Sequence, residues 1–304
     1  MSFAPGKHKA RRAFGALFVC ESLELTLHSK MAALPSRIRS LIVMRLLLTL
    51  LLLVLQSLQA ADFHATTCEG VYPRHLQGFC TNNKDAIYWC WTDVLVKTDT
   101  DGRVLKKVPV ANHHGDLCFH DGRVYVATNL GKFNRPTGEA DSWVYVYDAD
   151  SLAELAKHRV PELVHGAGGI TWRDGRFFII GGLPPGVEEN YVYEYDSAFH
   201  FQKRYLLASG YTLMGIQTVA QADGTWWFGC YGKPAVLLRA DENLRFNGKW
   251  EFNASVGLAP ISGGRFLVAQ NTSMKGEDGK TKVNKARVLV ARPDKKAGLV
   301  IETP

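Results

Sequence analysis

The sequence has no apolar run long enough to span a membrane. Its longest, inside "MRLLLTLLLLVLQSLQA" from Met44, covers about ten residues, whereas a spanning helix needs about 20. No two cysteines stand at Cys-x-x-Cys spacing, so a structural zinc site of that kind is excluded. No Gly-x-Ser-x-Gly elbow supports a serine hydrolase. "HGAGG" at His165 lacks the longer glycine-rich turn and the helix of a phosphate loop. "KTDTDGRV" lacks the later ligands and distal Glu of a calcium loop and reads as a hairpin turn.

A charge of one sign is also missing from the body of the chain. The formal net charge is +7, from 36 Lys and Arg against 29 Asp and Glu. Residues 1–60 hold eight of the basic residues and two of the acids, which leaves 28 against 27, or +1. Nucleic-acid binding needs a basic surface on the folded domain, so the overall charge gives no support for it.

One Arg, a short apolar core and small residues near Ala60 and Ala61 have the layout of a signal peptide over 44–61. Residues 1–43 read as an upstream extension, with Met44 the working initiator. Residues 62–304 are then the mature chain, secreted or periplasmic, with no stable membrane span after cleavage. An uncleaved anchor is the alternative. An oxidising compartment lets cysteines pair. Five follow the leader: Cys68, Cys80, Cys90, Cys118 and Cys230. One or two disulfides are expected, with Cys68–Cys80 the first pair to test and at least one thiol left over.

What the chain has in quantity is turns, with 28 glycines and 12 prolines spread along it. "CFHDGRVYVATN", "TWRDGRFFIIGG", "AQADGTWWFGCYG" and "PISGGRFLVAQN" each join two apolar runs through a tight glycine turn, a strong hairpin signal. "FCTNNKDAIYWCWT" is a fifth copy with a different turn. A second hairpin follows each copy, with an aspartate at an equivalent place: Asp99, Asp148, Asp196, Asp241 and Asp294. The unit is four strands, repeated five times. Gly78, Gly115, Gly168, Gln217 and Gly257 fall at one register position, at the spacing of a propeller blade.

The pattern resembles the five-bladed β-propellers, in the broad company of NHL, quinoprotein-like and glutamine-cyclotransferase-like repeats, over residues 65–302. No Trp-Asp pair closes each repeat, and there is no Asn-Asp-Pro opening. The resemblance implies an all-β fold of five four-stranded blades around a central channel, near 72–110, 111–160, 161–208, 209–252 and 253–302. "SMKGEDGKTKVNK" from Ser273 reads as a mobile loop of the last blade. Trp226 and Trp227, being adjacent, are expected on opposite faces, one of them open to a flat ligand.

In a propeller the openings of the innermost strands meet at one mouth. Here these are "RHLQG", "NHHGD", "VHGAGG", "TLMGIQ" and "SVGLAP". Three carry histidine, and if the strands alternate normally His75, His114 and His165 all face the axis. Three neutral imidazoles with an open fourth position suit a divalent metal such as zinc or iron. His113 and Asp116 are the candidates for acid–base work, Asp116 as the orienting group. Gly215 to Gln217 and Tyr211 add polar edges to the same mouth.

The functional expectation is an exported, monomeric propeller acting on a small molecule or saccharide, by metal-assisted or acid–base hydrolysis or elimination. Its competitor is a non-catalytic propeller that binds a protein or glycan through the loops around 131–142 and 183–190. A quinone-cofactor oxidoreductase ranks last, on fold analogy alone.

Overall fold

The computed structural model describes residues 63–302 and, before them, Pro35, Ile38, Ser40, Ile42, Met44 and Arg45. The chain divides into two compact units, Met1–Gln59 and Ala60–Pro304. Apart from Met44 and Arg45, the expected signal peptide lies outside the described residues. No helix among the described residues is long and apolar enough to cross a membrane.

In the second unit a short strand, β1 (Thr66–Thr67), precedes the first blade. That blade is β2 (Gly78–Thr81), β3 (Ile87–Cys90), β4 (Val94–Thr98) and β5 (Val104–Pro109). The second is β6 (His114–His120), β7 (Arg123–Asn129), β8 (Ser142–Asp148) and β9 (Glu154–Arg159). The third is β10 (Ala167–Arg173), β11 (Arg176–Gly181), β12 (Asn190–Asp196) and β13 (Phe201–Leu207). The fourth is β14 (Leu213–Ala222), β15 (Thr225–Tyr231), β16 (Val236–Ala240) and β17 (Phe246–Glu251). The fifth is β18 (Leu258–Ile261), β19 (Arg265–Lys275), β20 (Lys282–Asp294) and β21 (Gly298–Ile301).

Each sheet is an antiparallel meander, and the innermost strands β2, β6, β10, β14 and β18 touch in that order, with β18 returning to β2. The fold is a five-bladed β-propeller. The outer edge of β20 pairs with β21 at one end and with β1 at the other, through Thr66 opposite Val288 and Thr67 opposite Arg287. The fifth blade is therefore closed by both ends of the domain, which ties off the ring.

The repeat signals have direct structural causes. Asp121–Gly122, Asp174–Gly175 and Asp223–Gly224 have positive φ at both residues, the backbone of the type I′ turn that matches strand twist. The five register aspartates each accept two backbone N–H groups through Oδ1, as Asp99 does from Asp101 and Arg103. A side chain that closes its own turn in this way needs Asp or Asn at that place, which keeps the residue in register.

Three expectations change. The segment from Ser273 is not a loose loop: β19 and β20 continue as a paired hairpin to Lys275 and Lys282. Trp226 and Trp227 are both buried, because each face of a blade packs on a neighbour. Trp226 lies against Phe178 of the third blade, and Trp227 against Phe266 of the fifth. The five cysteines are buried free thiols. Cys68 sits in the core of the first and fifth blades, while Cys80 packs with Cys90 and Leu117 between the first and second.

Candidate functional site

Where the innermost strands begin, a cavity of ≈ 380 Å³ opens, within the size range of small-molecule sites. It is lined by His75, Gln77, His113, Phe133, Met214, Gln217 and Tyr231, with Gly115, Ala167 and Gly168 as the backbone wall. Every innermost strand but the fifth contributes or lies beside a lining residue. Gly115 permits the close approach, since a Cβ there would run into the Gly168 carbonyl of the next blade.

At its centre is Gln77. The amide Nε2 lies 3.0 Å from Thr92 Oγ1, 3.0 Å from His75 Nε2 and 3.2 Å from His113 Nε2. Thr92 in turn donates to the His75 carbonyl. Burial lowers the pKa of both histidines, and the nearby Arg74 lowers each further; His113 and Lys282 add to the effect at His75. Both imidazoles are thus neutral at pH 7. Tyr231 is half-buried with its pKa raised by burial, so its hydroxyl keeps its proton. Gln217 donates to the Met214 carbonyl at 2.8 Å.

The three histidines expected to share a metal do not converge. His114 is fully buried, and its Nε2 is 2.8 Å from the Tyr147 hydroxyl, with its ring against Tyr145. The cause is a bulge: the pairing of β6 with β7 slips between His114 and Leu117. The extra residue breaks normal alternation, so His113 faces the mouth and His114 the interior. His165 turns toward the second-blade loop, where its Nδ1 meets the Arg135 carbonyl at 2.8 Å. Among the described residues no group of three or more His, Cys, Asp or Glu side chains could hold a metal ion.

Asp116 touches neither histidine. It plugs the axis beneath the cavity, 1% exposed. Its Oδ2 accepts from Val219 N at 3.2 Å, and the Leu117 and Phe79 amides also face the carboxylate. Burial pushes its carboxyl well above the ordinary range, with the Val219 amide pulling the other way.

Gln77, Phe133, Met214 and Tyr231 carry no signal in the repeat register. Gln77 could have been found, since it stands two residues after His75 and alternation puts both on one face. Phe133 arrives from the long loop of the second blade and Tyr231 from the end of a second strand, which a reading of innermost strands does not reach. Beside the mouth, Asn271 Oδ1 accepts from Leu76 N and its Nδ2 donates to Asn284 Oδ1.

Burial lowers the His114 pKa to about 4, and this has a stability consequence. Below the ordinary value of 6.5 the unfolded chain takes up a proton that the folded chain refuses, so stability is lost as pH falls from 6.5 towards 4. The loss amounts to at most about 3 kcal/mol. Compared with the parent, the His114→Gln variant is expected to lack this contribution, so the difference between the two in denaturant titrations changes by that amount across the window.

No protein-family description matches the chain, and no curated protein matches it. Among solved structures, the bifunctional GH43-CE protein of Bacteroides eggerthii superposes with a TM-score of 0.52 at 12% identity, over 80% of this chain and 36% of that one. The glutaminyl cyclase of Myxococcus xanthus gives 0.49 at 12% identity, over 76% and 99%. BamB of Moraxella catarrhalis gives 0.39 at 14%, over 81% and 73%. At these identities the likeness is one of fold.

Proposed function

We propose that this is an exported propeller that binds a small polar molecule in the axial cavity and performs acid–base chemistry on it, with His113 as general base. Export rests on the leader pattern around Met44. The chemistry rests on one observation: two neutral imidazoles meet at a single amide in a mostly apolar cavity. An amide nitrogen carries two hydrogens, but three acceptors surround Gln77 Nε2. The two nearer, Thr92 and His75, take them. The His113 lone pair is left uncommitted, as a base requires. Accepting at Nε2 puts the His75 proton on Nδ1, where it can be given to a leaving group. Phe133 and Met214 would hold the carbon skeleton, with Gln217 and Tyr231 orienting its polar atoms.

The test is a screen of small polar molecules by ligand-observed NMR. Mutually competitive binders are expected, weakened about tenfold or more in His113→Ala and Gln77→Leu. Binders that ignore both substitutions would contradict the reading. A non-catalytic binding role draws on the exposed Tyr211, Leu213 and Met214 beside the same mouth. It is favoured if the binders are recovered unchanged under every condition tried.

A further inference from the structure

We propose that the ligand of the axial cavity is an anion, carrying a carboxylate or phosphate-type group that seats against His75 and His113. This rests on the axial cavity being the ligand site, and it adds the charge class of the ligand.

The first observation is what lines the cavity. It has histidines, amides, a phenol and apolar groups, and no acidic side chain. The second is what surrounds the histidines. Arg74 acts on both rings and Lys282, at the start of β20, acts on His75. Asp93 lies 3.8 Å from Arg74 and offsets part of its charge. Lys282, and Lys233 two residues beyond Tyr231, form no ion pair among the described residues. The third is the fate of the nearby acid. Asp116 is sealed beneath the cavity, where burial disfavours its charged form. Of the acids in the neighbouring loops, Glu139 pairs with Lys132, Asp141 with Arg159, and Glu189 accepts from the Gly210 amide, while the exposed Glu188 does not line the cavity. The cavity thus has no acid in its wall and basic side chains beside its two histidines, a setting that disfavours a cation and favours an anion.

Binding an anion would reverse the effect of burial on the His75 imidazole. His75, given an anionic neighbour, becomes easier to protonate and as an imidazolium donates from both nitrogens, while His113 stays neutral and keeps its lone pair. Gln77 would then turn its carbonyl toward the His75 ring. The groups that set this balance are Arg74 and Lys282 on one side, the paired Asp93 behind Arg74, the two histidines themselves, and the neutral Tyr231. Proton uptake accompanies binding when the pH lies between the free and bound values, so affinity rises as pH falls through that interval.

The experiment compares benzoate with benzamide, which share shape and differ in charge, and adds inorganic phosphate as a second anion. Binding is followed by calorimetry and by the imidazole NMR signals of His75 and His113. At pH 6 benzoate is expected to bind about tenfold more tightly than benzamide, a gap of about one pKa unit's worth of interaction that narrows by pH 8. Arg74→Gln and Lys282→Gln are expected to weaken benzoate about threefold each and leave benzamide unchanged. Phosphate binding in place of benzoate would assign the charge to a phosphate-type group. Benzamide binding as well as benzoate while moving both imidazole signals would overturn the anion inference and leave the cavity reading standing. No movement of either signal with any of the three would sink both.

Discussion

Adding one methyl group at Gly78 is expected to lower the unfolding free energy by about 2–3 kcal/mol, the cost of overpacking a site that cannot yield. A Cβ at Gly78 would lie on the Asp116 carboxyl and 2.5 Å from the Asp116 Cα. The first obstacle is a side chain, but the second is the backbone of the neighbouring innermost strand. Relief requires the first and second blades to move apart, in a ring whose last blade is tied to its first residues. Gly78 has no left-handed backbone, so the effect is steric. Gly122, with φ 69° and open space around it, is the contrast: there alanine costs conformational strain alone, about 1 kcal/mol. Chemical denaturation of the two variants separates the terms. A Gly78→Ala protein within 0.5 kcal/mol of the parent would mean the blades are not held this closely.

Asp116→Asn is expected to change how stability depends on pH. The folded-state pKa of Asp116 is raised, so its stabilising proton is fully in place below the unfolded value of 3.8 and is lost as pH rises through the folded value. Between those limits the group costs about 1.4 kcal/mol for each pH unit. His114, two residues earlier, slopes the other way between about 4 and 6.5. The two slopes therefore oppose each other where they overlap. Asp116→Asn should be more stable than the parent at pH 8 and should lose stability on acidification below 6.5. His114→Gln should instead lose stability as pH rises from 4. Parallel pH profiles for the parent and both variants would contradict this assignment of charge.

The architecture was legible because it is written in local chemistry. Asp-Gly turns demand left-handed backbone, and the turn aspartates close their own loops, so both recur at blade spacing whatever the rest of the sequence does. The site was only half legible. Counting along "NHHGD" assumes a strand that alternates, and the bulge after His114 is a tertiary adjustment that lets β6 approach its neighbours. It exchanges the roles of two adjacent histidines. His165 kept its place in the register but found a backbone carbonyl of the second-blade loop as partner, a contact set by a long insertion. The buried tryptophans follow the same logic: alternation places them on opposite faces, but in a propeller both faces of a blade are interior. Closure by β1 left no signal, because two residues of pairing are too short for a pattern.

The central claim is that His75 and His113 are neutral and joined through Gln77 in one open cavity. Long-range proton–nitrogen NMR of the two imidazoles across pH 4–8 tests it most directly. Both rings are expected to titrate below 6.5, with His75 carrying its proton on Nδ1, and both are expected to shift together in Gln77→Leu. Two rings that titrate independently at the ordinary value, indifferent to Gln77, would contradict it.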